Sequence, residues 1–344
     1  MSKFRKVNLN IRPALLDNLL REFISGHAPS VLSVSDMCNV SRTTASKVAH
    51  ALVKSEFMSE KVFSKNERRP CSHLLFDDKA SILLVDLSSS VYKMSVVNPN
   101  GKSMFSSSYT YDASINLKDN INIFISRNGL KVKRSGLEFA AISVIYADEC
   151  RRSQLETRER TSHLPPISLC DYIEGEIFTI LGRRVSAHMT VSEAMGEAIR
   201  FKAIDIDASV KGISSVFIGS HVSSFHVYPN GSVTVCSPEN MLSAEELKDI
   251  RNINLISKER ADLLFVHLCD FMDSAFSPSI LLLDSDILEP DAETAEKISL
   301  RLTITNRPSP IIYTRNESFP LAYIGIVRST LLSLVKKYIT SDKG

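Results

Sequence analysis

The chain has 344 residues, of which 44% are hydrophobic, so it is long and apolar enough to bury cores in about two or three domains and is not a disordered chain. It has no apolar run near the ~18 residues of a membrane span and no charged-then-apolar leader, which argues against membrane insertion and secretion. Its six cysteines form no CxxC pair, so we expect no zinc knuckle and no redox pair, but reduced thiols in a cytoplasmic protein.

The net charge of +2 hides an asymmetry along the chain. Residues 1–76 carry 12 Lys and Arg against 6 Asp and Glu, a net charge of +6, whereas the remainder carries 29 against 33, a net charge of −4. A basic segment of this size favours a polyanionic partner. We therefore expect any nucleic-acid contact to lie in the first 76 residues.

The first predicted element is a helix over residues 13–26. It begins at Pro13, a favoured first-turn residue, and ends at Gly26. Its apolar residues recur at helical spacing and predict one buried face: Leu15, Leu16, Leu19, Leu20, Phe23 and Ile24. This helix would pack behind the segment that follows.

Residues 33–54 have the pattern of a helix-turn-helix. Ser33 with Asp36 resembles a capping box for a short helix that ends near Asn39, a residue that tolerates a left-handed turn. Ser41 then caps a second helix. That helix has one apolar face, formed by Ala45, Val48, Ala49, Leu52 and Val53.

The other face of this second helix is polar and basic. Its N-terminal end, where a recognition helix meets base edges and phosphates, is rich in short hydroxyl groups and cations. We predict that DNA is contacted by Ser41 and by the residues of this polar face: Arg42, Thr43, Thr44, Ser46, Lys47 and His50. The alternative is an ordinary two-helix corner with a solvated polar face.

A hairpin is predicted next, from strand-like residues 57–63 and 71–76. The polar run between them is typical of the tip of a wing, which can reach a phosphate backbone or a minor groove. We predict DNA contacts from Lys65, Arg68 and Arg69. A plain surface hairpin is the alternative.

From residue 81 the pattern becomes that of an α/β body. The strands are predicted at residues 82–85, 91–97, 106–111, 139–145, 216–219, 233–236, 278–283 and 310–314. The helices are predicted around residues 115–125, at 169–181, over a long region ending at 276, at 292–302 and at 321–338. No internal sequence repeat is visible.

Several of these segments resemble the ROK family of repressors, open reading frames and sugar kinases. Arg69-Pro70 is similar to the Gly-Arg-Pro at the wing of the family's repressors, and Gly182–Val185 resembles the family's entry to a strand. Val191–Glu197 resembles an Ala-rich helix that ends in Gly-Glu. Val216–Gly219 and the turn at Pro229–Gly231 match the first strands of the family's second lobe.

The resemblance covers nearly the whole chain and implies an α/β fold class. It implies a winged helix-turn-helix at residues 1–76 and then a two-lobed actin-like body, of the ASKHA or ribonuclease-H-like type. The first lobe would span residues 81–187 and the second residues 188–320. Residues 321–344 would form a C-terminal helix that packs back on the body.

The body lacks residues that kinase chemistry needs. A phosphate turn needs glycine so that backbone amides can close on phosphate oxygens, yet the chain has 12 glycines in 344 residues, about half of the usual ~7%. The family's first phosphate turn is here Asp86–Ser90, and its second is Gly219–Phe225 with one glycine left. Its Gly-Gly pair near the nucleoside corresponds to Asp284–Asp286.

The family's catalytic Asn-Asp pair corresponds to His188 and Met189, and methionine cannot act as a base. A lone His beside apolar residues is more often a packing residue than a replacement base. The family's zinc motif has no counterpart, because residues 231–251 contain one cysteine, Cys236, and no His. We therefore expect no cofactor, no metal site and no catalytic residue.

The sequence as a whole predicts a DNA-binding transcription regulator, a repressor of sugar-related genes, rather than an enzyme. Its partners would be a two-fold symmetric operator in double-stranded DNA, a second copy in a homodimer or dimer of dimers, and a small-molecule (sugar) or protein effector, with no membrane. One alternative is a ROK-type sugar kinase with an appended DNA-binding domain. Another is an interaction scaffold whose body binds a protein instead of a metabolite.

Overall fold

The structure is a computed structural model of the chain. The residues that it describes are 4–25, 29–63, 71–99, 101–147, 168–201, 211–218, 222–236, 241–251, 257–284, 292–303, 311–314 and 321–341. Within them, the chain forms a basic N-terminal part and an α/β body with two five-stranded sheets.

The N-terminal part contains three helices and a hairpin. Its elements are β1 (Val7–Leu9), α1 (Pro13–Ser25), α2 (Val31–Met37), α3 (Arg42–Lys54), β2 (Met58–Phe63) and β3 (Cys71–Phe76). The predicted helix after Pro13 is present, and five of its six predicted apolar residues are buried, Leu15 being half-buried. The two strands of the predicted hairpin pair antiparallel, from Met58 opposite Phe76 to Phe63 opposite Cys71.

The start of α2 differs from the prediction at Ser33. Ser30 is the N-cap, and its hydroxyl accepts from the Ser33 amide at 3.1 Å while the Ser33 hydroxyl accepts from the Ser30 amide at 3.2 Å. The earlier start has a physical reason, because it gives both serines a capping role and places Val34 in the core. The predicted left-handed turn at Asn39 is confirmed by its φ of 51°.

The first sheet of the body packs against two helices. Its elements are β4 (Ile82–Leu87), β5 (Val91–Val97), β6 (Ser103–Thr110), α4 (Leu117–Ser135), β7 (Ala141–Tyr146), α5 (Leu169–Leu181) and β8 (Ala187–Thr190). The strand order is β6-β5-β4-β7-β8, with β4, β7 and β8 parallel and β5 and β6 antiparallel. The strands β4 and β7 are fully buried, as their continuous apolar runs predict.

The second sheet repeats this strand order. Its part of the chain contains α6 (Val191–Arg200), β9 (Ile213–Ile218), β10 (Val222–Val227), β11 (Val233–Cys236), α7 (Ala244–Arg251), α8 (Lys258–Phe276), β12 (Ile280–Asp284), α9 (Ala292–Thr303) and β13 (Ile311–Thr314). The order β11-β10-β9-β12-β13 again has three antiparallel strands followed by parallel ones. The body therefore contains a structural repeat that the sequence does not display.

The last two elements, α10 (Leu321–Tyr338) and β14 (Ile339–Ser341), connect the parts of the molecule. Near its start, α10 packs with α6 in a central cluster that contains strands of both sheets, through Tyr323, Ile326 and Val327. Near its end, Leu331 and Val335 belong to the core of the N-terminal part. β14 then pairs in parallel with β1, so the two ends of the described chain form one small sheet.

The crossing of α6 and α10 is close because Gly325 lies at it. A Cβ added at Gly325 would meet the backbone carbonyl oxygen of Ala194 in α6. We therefore expect Gly325→Ala to lower the free energy of unfolding by about 1–3 kcal/mol, since overpacking against backbone forces the helices apart. Urea unfolding followed by circular dichroism measures this.

The matched control is Gly175→Ala in the exposed face of α5, where an added Cβ meets nothing within 4 Å. That variant should gain about 0.5–1 kcal/mol, because alanine replaces glycine within a helix. Equal stability changes in the two variants would contradict the close crossing.

Candidate functional site

The helix α3 is held by its N-cap. The hydroxyl of Ser41 accepts from the Thr44 amide at 3.2 Å and lies 2.9 Å from the Thr44 hydroxyl. The amide of Val40 donates to the Ser35 carbonyl oxygen at 3.0 Å and closes the turn between α2 and α3. The start of α3 is thereby fixed relative to α2.

The inner face of α3 lies in the core of the N-terminal part. Four of the five predicted apolar residues are buried: Ala45, Val48, Ala49 and Leu52. Val53 is only half-buried and packs at the edge of this core. The orientation of α3 is set by this packing, which leaves the opposite face exposed.

The exposed face of α3 forms one wall of an open groove of about 620 Å³. Five of the predicted contact residues line the groove together with Val31 and Leu9: Arg42, Thr43, Ser46, Lys47 and His50. Within the described part of the chain, the side chains of Arg42, Lys47 and His50 have no ion-pair or hydrogen-bond partner. They are therefore available to an external anion or hydrogen-bond acceptor.

The remaining predicted contact residues fall into two groups. Ser41 and Thr44 are at the N-terminal end of α3, but their hydroxyl groups bond to each other, and the Ser41 hydroxyl also accepts from the Thr44 amide. Lys65, Arg68 and Arg69 lie outside the described residues.

In the body, the aspartate of the first phosphate-turn segment is buried and bonded within the protein. One carboxylate oxygen of Asp86 accepts from the Ser88 amide at 2.8 Å and from the Ser88 hydroxyl at 2.6 Å. The other oxygen accepts from the hydroxyl of Tyr323 in α10. Asp86 is 2% exposed, so this carboxylate faces protein donors instead of an open phosphate site.

His188 is satisfied by two protein groups. Its Nδ1 lies 2.7 Å from the Tyr146 hydroxyl, and its Nε2 lies 2.7 Å from the Glu174 carboxylate. Its ring is also nearly parallel to that of Tyr146, at 5.8 Å between centroids. These contacts agree with a packing role, and the neighbouring Met189 packs half-buried against the central cluster.

The other two phosphate-turn segments are described only in part. Residues 219–221 and 285–286 lie outside the described residues, whereas Ser224 is buried in β10. Among the described residues, no three His, Cys, Asp or Glu side chains are grouped so that they could hold a metal ion. In the same part of the chain, no helix combines the length and apolar character needed to cross a bilayer.

The sequence did not indicate two residues that contact these sites from other elements of the chain. Leu9 in β1 lines the groove beside α3, and Tyr323 bonds to Asp86 across 237 positions. No local pattern around Tyr323 indicates this contact. The apolar residues of 7–9 are a weak strand signal that could have marked β1.

No known family model matches the sequence, and a search of curated proteins found no match. Solved structures do match. One is described as a ROK family transcriptional regulator, homologous to the E. coli MLC protein. It is 11% identical, with a TM-score of 0.57 over 94% of this chain and 99% of that one. Another is the inorganic polyphosphate/ATP-glucomannokinase from Arthrobacter sp. strain KM. It is 13% identical, with a TM-score of 0.51 over 74% of this chain and 99% of that one.

The chain therefore has the mixed α/β, actin-like fold of ROK family proteins. That fold is shared by a transcriptional regulator and by a sugar kinase, so the fold alone leaves both functions open.

The cap of α3 can be tested directly. We expect Ser41→Ala to lower the free energy of unfolding by about 1 kcal/mol, because the Thr44 amide loses its side-chain acceptor and keeps only the Ser41 carbonyl oxygen. Ser41→Asn should retain most of the stability, since asparagine also caps helices. Ser46→Ala is the control, because Ser46 is exposed on the same helix and has no described hydrogen bond. A Ser41→Ala variant as stable as Ser46→Ala would contradict the capping role.

Proposed function

We propose that the protein is a ROK family, sequence-specific DNA-binding transcription regulator, and that residues 1–76 form its winged helix-turn-helix domain. The observation that carries this proposal is the groove along α3, where Arg42, Lys47 and His50 are exposed and unpaired among the described residues. The match to a transcriptional regulator covers 94% of this chain, so it must include most of the N-terminal part, and it supports the same assignment.

In this proposal α3 lies in the major groove of DNA. Arg42 and Lys47 supply cations that suit guanine edges and phosphates, and Thr43, Ser46 and His50 add hydrogen-bonding groups. Ser41 and Thr44 hold the helix start, whose free amides favour a phosphate. Lys65, Arg68 and Arg69 would contact the DNA backbone or minor groove from the hairpin β2–β3.

The body, with lobes at residues 81–187 and 188–320 and the C-terminal helix from 321, would act without kinase chemistry. The buried Asp86 is already bonded to Ser88 and Tyr323, which competes with a role at a nucleotide. Met189 stands where the family has its base, and His188 is held by Tyr146 and Glu174. These three features support a regulatory body.

Such a body would join two copies on a two-fold symmetric operator, as a homodimer or dimer of dimers. It would also sense a small molecule such as a sugar, or a protein. A repressor of sugar-related genes fits this arrangement. The alternative, a sugar kinase with an appended DNA-binding domain, draws on the likeness to the glucomannokinase over 74% of the chain. The contacts of Asp86 and the absence of a base at Met189 weigh against it.

The DNA-binding proposal is tested by selection from a random duplex pool with the full chain. We expect enrichment of a symmetric site, with log affinity falling linearly with log salt at a slope of about −0.9 per phosphate neutralised. Arg42→Ala should relax base preference by about 1–3 kcal/mol at one position of each half-site. Fluorescence anisotropy on the selected site and on single-base variants measures both.

Arg127→Ala, an exposed cation of α4 in the body, is the control and should bind like the wild type. An Arg42→Ala variant with unchanged base preference would show that α3 does not read the bases. Failure of the wild type to enrich any sequence would overturn the proposed function itself.

Kinase chemistry is tested by calorimetric titration with ATP and magnesium, paired with a coupled assay over a hexose panel. We expect no micromolar binding and no turnover in the wild type or in Met189→Asp. A base contributes about 10²–10⁴-fold, but only when the phosphoryl donor is already aligned with its acceptor. The bonded Asp86 and the serines of 88–90 leave no such alignment.

An active sugar kinase assayed in parallel is the positive control. Micromolar ATP binding by the wild type would contradict the argument from the phosphate turns. Turnover by Met189→Asp would show that the base alone was missing, and would favour the kinase alternative.

A further inference from the structure

The helices α4 and α5 cover one face of the first sheet, and both contribute buried residues to its core. The Tyr172 hydroxyl of α5 donates to the Lys118 carbonyl oxygen at 3.4 Å, near the start of both helices. A Cβ added at Gly129 would meet the Ile180 side chain, towards the end of both helices. The two helices therefore lie side by side and run in the same direction.

The outer face of this helix pair has three exposed large apolar side chains. Ile123 and Leu130 of α4 are 37% and 45% exposed, and Phe178 of α5 is 53% exposed. Ile123 and Leu130 are seven residues apart, so they lie on one side of α4 and about 10 Å apart along its axis. The contacts between the helices put Phe178 at a level between them. The three side chains form an apolar patch in the middle of the face.

The charges of the face are divided between its two ends. Asp119 and Asp171 are exposed in the first turns of α4 and α5. Arg134 is exposed in the last turn of α4, and Arg184 is exposed just beyond α5. These two arginine side chains have no ion-pair or hydrogen-bond partner within the described residues. The cation at the acidic end, Lys118, lies over an aromatic ring of α5.

The order of groups along α4 is complementary to its own reverse. A two-fold axis between residues 126 and 127 would bring two α4 helices together antiparallel. Ile123 would then meet the partner's Leu130, because the two residues are equally far from the axis. Asp119 would meet the partner's Arg134 for the same reason. Apolar groups would face apolar groups, and each carboxylate would face a guanidinium.

The same axis matches α5. The contacts between the helices put Phe178 beside residues 126 and 127 of α4, so the two Phe178 rings would meet at the axis, where aromatic rings can stack. Asp171 precedes Phe178 by seven residues and Arg184 follows it by six. Asp171 would therefore face the partner's Arg184. A single axis thus pairs the apolar and the charged groups of both helices.

We propose that a second copy of the chain binds to this outer face of α4 and α5, with the helices of the two copies antiparallel. A two-fold contact joins a surface to itself, and this face is complementary to itself in both apolar character and charge. Removing the exposed aromatic and aliphatic side chains from water would stabilise the dimer. The inference rests on the proposed function for its role, which is to join two copies on a symmetric operator, but the contact itself needs no DNA.

The surface is tested by analytical ultracentrifugation of the full chain at micromolar concentrations without DNA. We expect a dimer whose dissociation constant rises about 30-fold or more in Phe178→Asp, because an aromatic side chain at the centre of an interface is a typical hot spot. The matched control is Leu300→Asp in α9, which is also exposed but lies in the part of the chain that forms the second sheet. That variant should dimerise like the wild type.

Charge reversal tests the antiparallel geometry. Asp119→Arg and Arg134→Asp, each alone, would place like charges opposite each other at both ends of α4, and each should weaken the dimer about tenfold. A mixture of these two variants should form a heterodimer, since the basic chain then faces the acidic one. A chain with both substitutions should dimerise like the wild type. Native mass spectrometry distinguishes the homodimers from the heterodimer, and a purely structural role of either residue would not produce it.

The outcomes separate this inference from the proposed function. A monomeric wild type, or a dimer that persists in Phe178→Asp, overturns the proposed surface, and enrichment of a DNA site by the same chain then leaves the function standing. A dimer that is lost only in Leu300→Asp overturns the surface as well. If the expected dimer forms but no duplex is enriched, the surface stands and the DNA-binding function fails. Thermal unfolding identifies a variant that does not fold, and if Phe178→Asp is one, the heterodimer decides.

Discussion

The arrangement of the molecule depends on the close crossing of α6 and α10. Gly325 lets α10 approach the Ala194 backbone, and this contact sets α10 between the two sheets. Further along α10, Arg328 is 3% exposed and donates to the Phe201 carbonyl oxygen at 3.1 Å. Burial lowers the pKa of that guanidinium, so a charge has been placed in the interior at a cost that the surrounding packing must offset. The C-terminal helix is thus a structural centre and not an appendage.

From this crossing, contacts continue to the candidate DNA-binding face. The helix α1 is joined to α6 by Arg21 and Glu197 at 3.6 Å, and to α10 by Asp17 and Lys336. At its end α10 passes into β14, which pairs with β1, and β1 lines the groove of α3. A displacement of α10 in the body would therefore act on both the helix behind α3 and the strand beside it. These continuous contacts connect the proposed regulatory body physically to α3, the proposed recognition helix.

The sequence predicted local features well and distant contacts poorly. The bounds of α5 and α10 and the buried face of α3 follow from periodicity, capping residues and left-handed turns, all of which are local. The predicted N-cap of α2 is Ser33, whereas the observed N-cap is Ser30, because either serine is a suitable helix start. The pairing of β1 with β14 and the repeated sheet order leave no signal in single segments. Five groove residues could be predicted from the sequence, whereas Leu9 has only a weak strand signal and the contact of Tyr323 with Asp86 has none.

Asp86 shows that a residue which resembles part of a motif in sequence can have its contacts within the protein itself. In sequence it resembles the start of a phosphate turn. In the structure, Ser88 donates to one of its carboxylate oxygens and Tyr323 donates to the other, and the second bond joins the first sheet to α10. Removing Asp86 would leave buried donors unpaired, which is sufficient physical reason for an acidic residue here without any phosphate chemistry. The glycines, too, are found at close packing contacts and not in the phosphate-turn segment. Gly325 and Gly196 allow close backbone approaches around α6, whereas residues 88–90 of the phosphate-turn segment are serines. At these positions the residues meet the needs of packing within the body, as the proposed regulatory role without kinase chemistry expects.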